Sequence, residues 1–135
     1  MKKTNLFNPV LNCPNIIDMT SVESSKAKVQ SIVETIEYIP NSVVIKTILN
    51  RSTGNICAMS FDTGEGITDR ILAYDTFVQI IDGKAEIMIE GNLHCLESGQ
   101  GIIIPAHMSN TIKSNERFKM LLTSIKAPMN RKTHL

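Results

Sequence analysis

The spacing of glycine and proline residues constrains the fold more than any other feature of the sequence. The segment from Gly64 to Gly83 reads GEGITDRILAYDTFVQIIDG, and the segment from Gly99 to Ser114 reads GQGIIIPAHMSNTIKS. In both, glycines separate short runs rich in Val, Ile and Phe, and glycine supplies the positive φ that tight turns between antiparallel strands require. Turn-forming glycines at such short, even intervals predict a β-sandwich or β-barrel.

Apolar residues follow a period of two from Ser42 onward, which is the period of a β-strand. The run Ile102-Ile103-Ile104 is apolar on both faces, so we expect its outer face to be covered by another element or by a second subunit. The predicted fold class is all-β. The predicted strands cover residues 42–49, 56–61, 76–81, 84–90, 93–96, 101–104, 109–114 and 117–125.

One helix is predicted ahead of the strands. Thr20 and Glu23 form a Thr-x-x-Glu capping box, and Val29, Ile32, Val33 and Ile36 follow at helical spacing. The pattern predicts an amphipathic helix over residues 21–37 that ends before Pro40 and packs across one end or face of the barrel. The chain then divides into an N-terminal arm and helix (1–40), a barrel (41–127) and a C-terminal tail (128–135).

Length, charge and cysteine content limit the class of protein. With 135 residues and a net charge of +1, the chain has the length of one domain and no basic footprint for nucleic acid or an anionic membrane. No run approaches the roughly 20 apolar residues of a transmembrane helix. Cys13, Cys57 and Cys95 lie far apart without a Cys-x-x-Cys pair, so neither a disulfide framework nor a zinc ribbon is indicated. We predict a reduced, cytoplasmic protein with no nucleic-acid or membrane partner.

The first glycine segment resembles the first of the two motifs that define cupins. In that motif a glycine is followed by His-x-His, then by a glutamate and a second glycine. Counting from Gly64, the histidine positions fall on Arg70 and Leu72, the glutamate position on Thr76 and the closing glycine on Gly83. The spacing fits without a gap.

The second segment resembles the second cupin motif, in which Pro-x-Gly precedes a histidine and an asparagine. Pro105 matches, while His107 stands at the glycine position, Asn110 at the histidine position and Ser114 at the asparagine position. The resemblance extends over residues 43–126. It implies a small single-domain cupin with a double-stranded β-helix, or jelly-roll, barrel and the homodimer that is usual in the family.

The metal-ligand positions of the two motifs hold unsuitable residues. The guanidinium of Arg70 stays protonated and has no acceptor lone pair. Leu72 has no donor atom, and Thr76 and Asn110 are weak neutral ligands for a first-row metal. We therefore predict no metal at these positions and no cofactor.

A polar set remains as a candidate ligand-binding site. Arg70, if its side chain projects into the barrel, is suited to hold a carboxylate or phosphate bidentately. The alternatives are an ion pair of Arg70 with Asp69 or Asp75, and polar side chains that satisfy one another or lie at the rim. The predicted lining residues are Arg70, Tyr74, Thr76, Gln79 and Asn110.

Three functional hypotheses follow. The first is a metal-free cupin that binds a small molecule, with an anion among the candidates, as a binding or sensing module. The second is an enzyme, either a metal-free isomerase or lyase that uses His107, Tyr74 or Arg70, or a dioxygenase-like enzyme with displaced ligands. The third is a structural dimer whose barrel is filled by side chains.

Overall fold

β-Strands make up most of the described chain. The computed structural model describes residues 16–19 and 24–126, and within them it contains nine strands. This confirms the predicted all-β class. The strands are β1 Ile16–Asp18, β2 Val43–Arg51, β3 Gly54–Phe61, β4 Gly66–Ile71, β5 Thr76–Ile89, β6 Asn92–Glu97, β7 Gly101–Ile104, β8 Ser109–Lys113 and β9 Phe118–Ile125.

The long strand β5 joins two curled sheets. Its first half pairs with β7 and β9, and β9 continues through β3 and β2 to β1, which is parallel to β2. Its second half pairs with β6 and β8, and β8 pairs with β4. The two sheets therefore face each other around a common interior.

Gly83 marks the change of sheet within β5. Its φ is +77°, and a Cβ at this position would overlap the carbonyl oxygen of Arg117. A positive φ combined with close backbone contact leaves room for glycine alone. The closing glycine of the first motif is therefore required by the bend of the barrel wall.

The core lies between the two sheets. The rings of Phe61 and Phe118 stack with centroids 4.3 Å apart, and both side chains are fully buried. Along β5 the buried positions alternate with exposed ones, as the pleat of a strand requires. Apolar burial from both sheets in this single cluster supplies the main stabilisation of the fold.

The predicted helix over residues 21–37 is wrong for its described part. Residues 24–37 contain only a single turn of 3-10 helix, Ile32–Glu34, and Ala27 has a φ of +60°. The capping-box residues Thr20 and Glu23 lie outside the described residues. No helical segment among residues 16–19 and 24–126 is long and apolar enough to span a membrane.

Side chains of the barrel explain why this segment is not helical. Lys119 Nζ donates to the carbonyl oxygen of Val33 at 2.6 Å, and Ser60 Oγ donates to that of Glu37 at 2.7 Å. In an α-helix over residues 21–37 the carbonyl of Val33 would instead accept from the N–H of Glu37, whereas the carbonyl of Glu37 would be free at the helix end. The segment still covers the outer face of β2 and β3, because Ile36 is buried there with Val44 and Ala58. Tertiary hydrogen bonds and packing thus outweigh the helical period.

Candidate functional site

Arg70 is buried on the inner face of the barrel. Its residue exposure is only 3%, and its register partner across β4 and β8 is Asn110, which is also buried. Asn110 lies two residues from the core residue Ile112 and opposite Ile89 on β5. Arg70, Asn110 and Ile89 therefore form one inward-facing row across three strands.

A bulge in β4 directs Arg70 inward. Ile67 and Arg70 are both buried although three positions separate them, which a regular strand with period two does not allow. The register with β8 shifts between these residues, and Asp69 adopts a φ of +51°. The backbone N–H of Asp69 donates to Thr111 Oγ1 at 3.0 Å. The bulge thus restores the inward face at Arg70.

Arg70 and Asn110 exchange hydrogen bonds. Arg70 Nε donates to Asn110 Oδ1 at 2.9 Å. Asn110 Nδ2 donates to the carbonyl oxygen of Arg70 at 3.1 Å and lies 3.4 Å from that of Met108. The amide therefore orients the guanidinium without neutralising its charge.

The two terminal nitrogens of Arg70 have no hydrogen-bond partner among residues 16–19 and 24–126. Both Nη1 and Nη2 are buried, and no acceptor among the described residues contacts them. Burial lowers the pKa of Arg70 to about 10 because desolvation disfavours the cation. The guanidinium still carries its charge at neutral pH, so the barrel contains a cation with free donors.

The ion pair considered from the sequence is not formed. The carboxylate of Asp75 accepts from the backbone N–H of Ala106 at 2.8 Å. Asp69 is exposed on the bulge, and neither residue contacts the terminal nitrogens of Arg70. Asp69 and Asp75 are close to Arg70 in the sequence, but this closeness did not reveal that their side chains do not contact its terminal nitrogens.

Thr76 is buried, but its hydroxyl is already engaged. Thr76 Oγ1 donates to the carbonyl oxygen of Tyr74 at 3.0 Å and lies 3.0 Å from Ser124 Oγ. Ser124 was not singled out from the sequence, since only the register of β5 with β9 places it opposite Thr76. The hydroxyl of Thr76 therefore forms hydrogen bonds that stabilise the pairing of β5 with β9, and it is not available to a ligand.

Tyr74 and Gln79 are both exposed. Tyr74 is 39% exposed, and Gln79 is exposed between the buried residues Val78 and Ile80. On a strand Thr76 and Gln79 differ by an odd number of positions, so they cannot face the same side. Gln79 therefore faces away from the interior, which differs from the predicted lining, while the predicted lining role of Tyr74 stays a prediction.

The loops 72–75 and 105–108 flank the Arg70–Asn110 pair. The backbone N–H of His107 donates to the carbonyl oxygen of Leu72 at 2.8 Å, which ties one loop to the other. The imidazole of His107 is exposed, and its φ is +68°. Its proposed role as a general base, like that of Tyr74, stays a prediction.

The residues at this site do not fit a transition metal. Arg70 presents N–H donors and a positive charge where a metal would need lone pairs, and Asn110 directs its amide to carbonyl oxygens. Within residues 16–19 and 24–126, no three His, Cys, Asp or Glu side chains group closely enough to hold a metal ion. No metal-dependent step is therefore derived for this site.

A separate groove opens beside β6. It has a volume of about 570 Å³ and carries charges of both signs. None of the residues predicted to bind ligand lines it. The groove is lined by Lys84, Ala85, Glu86, Cys95, Leu96, Glu97, Gln100, Ser114, Asn115 and Glu116.

Comparison with known proteins identifies the fold. No family model matches the sequence. No curated protein matches it either. Among solved structures, a conserved protein of unknown function from Streptococcus pyogenes is 27% identical, with a TM-score of 0.74 over 79% of this chain and 94% of its own.

Two further structures carry the family in their descriptions. A cupin 2 conserved barrel domain protein from Leptotrichia buccalis is 26% identical, with a TM-score of 0.67 over 70% of this chain and 46% of its own. A cupin superfamily protein from Desulfitobacterium hafniense is 24% identical, with a TM-score of 0.73 over 78% of this chain and 97% of its own. This protein folds as a cupin.

The cupin fold explains the unusual backbone of His107. This residue stands at the glycine position of the second cupin motif, and its positive φ is the conformation that glycine adopts most readily. His107 thus adopts a backbone conformation that suits the glycine expected at this position of the motif. The resemblance inferred from glycine and proline spacing is thus confirmed at the level of the fold.

Proposed function

We propose that this cupin is a metal-free binding module that takes a small anionic molecule into its barrel through Arg70. The observation that carries the proposal is the pair of buried, unpartnered terminal nitrogens of Arg70. An anion at these nitrogens would gain charge-assisted hydrogen bonds, which are stronger than neutral ones. Cytoplasmic location remains a prediction from cysteine usage.

Energetics favour an external anion over a purely structural role. A buried charge without a partner costs several kcal/mol of folding free energy. The one hydrogen bond from Arg70 Nε to Asn110 offsets part of that cost. A structural requirement for a polar side chain here would be met at lower cost by a neutral residue, whereas binding an anion requires the charge.

Thermal unfolding in the presence of anions tests the proposal. The wild-type protein, Arg70→Met and Arg70→Lys would be melted with acetate, hexanoate, phosphate and sulfate. A ligand that binds the folded state alone raises stability by about 2.7 kcal/mol at a concentration of 100 times its Kd. We expect at least one anion to raise the Tm of wild type, Arg70→Lys to respond less, and Arg70→Met not to respond.

Gln79→Ala is the matched control, because it removes a polar side chain of the outer surface from the same barrel. It should respond as wild type does. The proposal fails if no anion raises the wild-type Tm, or if Arg70→Met responds equally. Circular dichroism of each variant confirms that a lost response does not reflect a lost fold.

We also propose that two copies of the chain associate through the outer face of β5 and β7. Phe77 and Ile103 are direct partners across these strands and are 41% and 63% exposed. Apolar side chains that lie side by side on an open sheet face favour a protein interface. The proposal agrees with the homodimer that the cupin resemblance implies.

A further inference from the structure

We infer that the anion received by Arg70 is a monocarboxylate with an apolar body. The inference rests on the proposed function and narrows its ligand. Four properties of the interior support a monocarboxylate: the donors that Arg70 has left, the hydrogen bonds of the other buried polar groups, the charge of the interior, and the apolar residues around the guanidinium.

The free donors of Arg70 match a planar acceptor. Nε is used by Asn110, so Nη1 and Nη2 remain. Together they present two parallel N–H groups along the end of the guanidinium. The two oxygens of a carboxylate fit this edge with two parallel hydrogen bonds.

Within the part of the chain that the structure describes, the other buried polar side chains are already hydrogen-bonded. Asn110 Nδ2 is directed to the carbonyl oxygens of Arg70 and Met108, and the Thr76 hydroxyl is directed to Tyr74 and Ser124. Thr47 Oγ1 lies 3.9 Å from Cys57 Sγ. Beyond the N–H groups of Nη1 and Nη2 themselves, the buried side chains of the described residues offer no unbonded donor to the remaining oxygens of a phosphate or the hydroxyls of a sugar, whose burial would be unfavourable.

The charge inside the barrel is that of a single cation. The buried polar and charged residues of the described chain include no Asp or Glu, and the other buried cation, Lys119, bonds to Val33 on the outer face. One monoanion balances Arg70, whereas a phosphate monoester carries a charge of about −1.5 to −2 at neutral pH. The balance favours a carboxylate.

Apolar residues surround the pair on the inner face. Ile89 lies opposite Asn110, Ile112 lies two residues along β8, and Leu72 is buried two residues after Arg70. A ligand body in contact with such residues gains free energy by leaving water only if it is apolar. The ligand is therefore described as one carboxylate on a hydrocarbon or aromatic group.

Calorimetric titration with matched six-carbon probes tests the inference. The probes are hexanoate, hexyl phosphate and hexanol, with acetate and malate as carboxylates that lack an apolar body. We expect the Kd for hexanoate to be at least about tenfold lower than for each of the others. Hexanol lacks the charge-assisted hydrogen bonds, which contribute that much or more. Acetate and malate lack the apolar chain, whose burial contributes about 0.8 kcal/mol per CH₂ group. Hexyl phosphate buries additional charged oxygens without partners. Arg70→Met should remove the advantage of hexanoate over hexanol, and Arg70→Lys should restore part of it.

The outcomes separate this inference from the proposed function. Tighter binding of hexyl phosphate than of hexanoate would overturn the carboxylate assignment while Arg70-dependent anion binding stands. Equal binding of malate and hexanoate would overturn the apolar body alone. Failure of every anion to bind would overturn both.

Discussion

The side-chain amide of Asn110 forms two hydrogen bonds with Arg70. Its Oδ1 accepts from Arg70 Nε at 2.9 Å, and its Nδ2 donates to the carbonyl oxygen of Arg70 at 3.1 Å. The first bond uses a single guanidinium donor. The position of the cation is thereby fixed while its charge and its two terminal nitrogens remain available.

Asn110→Asp should reduce anion binding without a large change in side-chain shape. The new carboxylate would stand beside the guanidinium and compensate its charge from within the protein. We expect the affinity for the best anion to fall at least about tenfold, the size of one charge-assisted interaction. Calorimetric titration measures this, and an unchanged affinity would show that Arg70 does not receive the anion.

Arg70→Met should leave the anion-free protein as stable as wild type or more stable. The substitution removes a buried uncompensated charge, and apolar replacements of buried charges are often neutral or stabilising by about 1–4 kcal/mol. Loss of the Nε bond to Asn110 reduces the gain, so we expect a change of about 0–2 kcal/mol in the free energy of unfolding. Urea denaturation in a buffer of low anion content measures it. A loss of more than about 2 kcal/mol would indicate a stabilising partner for Arg70 inside the protein.

Gly83→Ala should destabilise the barrel far more than Gly91→Ala. Both glycines have positive φ, of +77° and +84°, so an alanine is strained at either position. Only at Gly83 would the new Cβ overlap the backbone of Arg117, whereas nothing lies within 4 Å at Gly91. We expect about 1 kcal/mol for Gly91→Ala from the backbone strain and at least about 3 kcal/mol for Gly83→Ala. Equal losses in denaturant unfolding would contradict the close contact.

Asp62→Asn should make the thermal stability of the protein less sensitive to low pH. Arg117 Nε donates to Asp62 Oδ1 at 2.8 Å, and with the backbone N–H groups of Asn41 and Thr63 it lowers the pKa of Asp62 to about 2. A lowered pKa stabilises the folded state above the ordinary value near 3.8, and that contribution is lost as pH falls toward 2. We expect wild-type Tm to fall between pH 4 and pH 2 more steeply than that of Asp62→Asn.

Glu34→Gln, which removes an exposed carboxylate, is the control for that experiment. If Asp62→Asn and wild type lose stability with the same slope across this range, the hydrogen bonds to Asp62 do not contribute to folding.

Phe77→Lys should dissociate the proposed homodimer. The substitution places a charge in the centre of the apolar face formed with Ile103. Ile71→Lys, at another exposed apolar position, is the control. Light scattering coupled to size exclusion should give a dimer mass for wild type and Ile71→Lys and a monomer mass for Phe77→Lys. A wild-type monomer would contradict the proposal.

The sequence predicted the barrel because its turns depend on local chemistry. Gly83 needs a positive φ where β5 bends from one sheet to the other, and His107 adopts a positive φ at a glycine position of the motif, so the spacing located both positions. The separate strands predicted over 76–81 and 84–90 are instead one strand, β5, which bends at Gly83 without a turn. The period of two, which follows from the pleat of a strand, located the strands from β2 onward except β4, whose bulge interrupts the period. The cupin fold was therefore accessible from residues that act within a few positions of one another.

Which side chains meet at the site could not be predicted in full from the sequence, because contacts between residues far apart in the chain decide it. The inward direction of Arg70 follows from the bulge at Asp69, and its pairing with Asn110 follows from the register of β4 with β8. Strand parity alone would have excluded Gln79 from a face that includes Thr76. The predicted N-terminal helix was wrong because Lys119, distant in sequence, binds the carbonyl of Val33 that a helix would use.

The most direct test is a crystal structure of the wild-type protein soaked in bromide, with data collected at the bromine absorption edge. Bromide is a monoanion that its anomalous signal distinguishes from water. The account predicts an anomalous peak at hydrogen-bonding distance from Nη1 and Nη2 of Arg70, and none in Arg70→Met. A protein carboxylate or carbonyl at those nitrogens, or a guanidinium directed out to solvent, would contradict it.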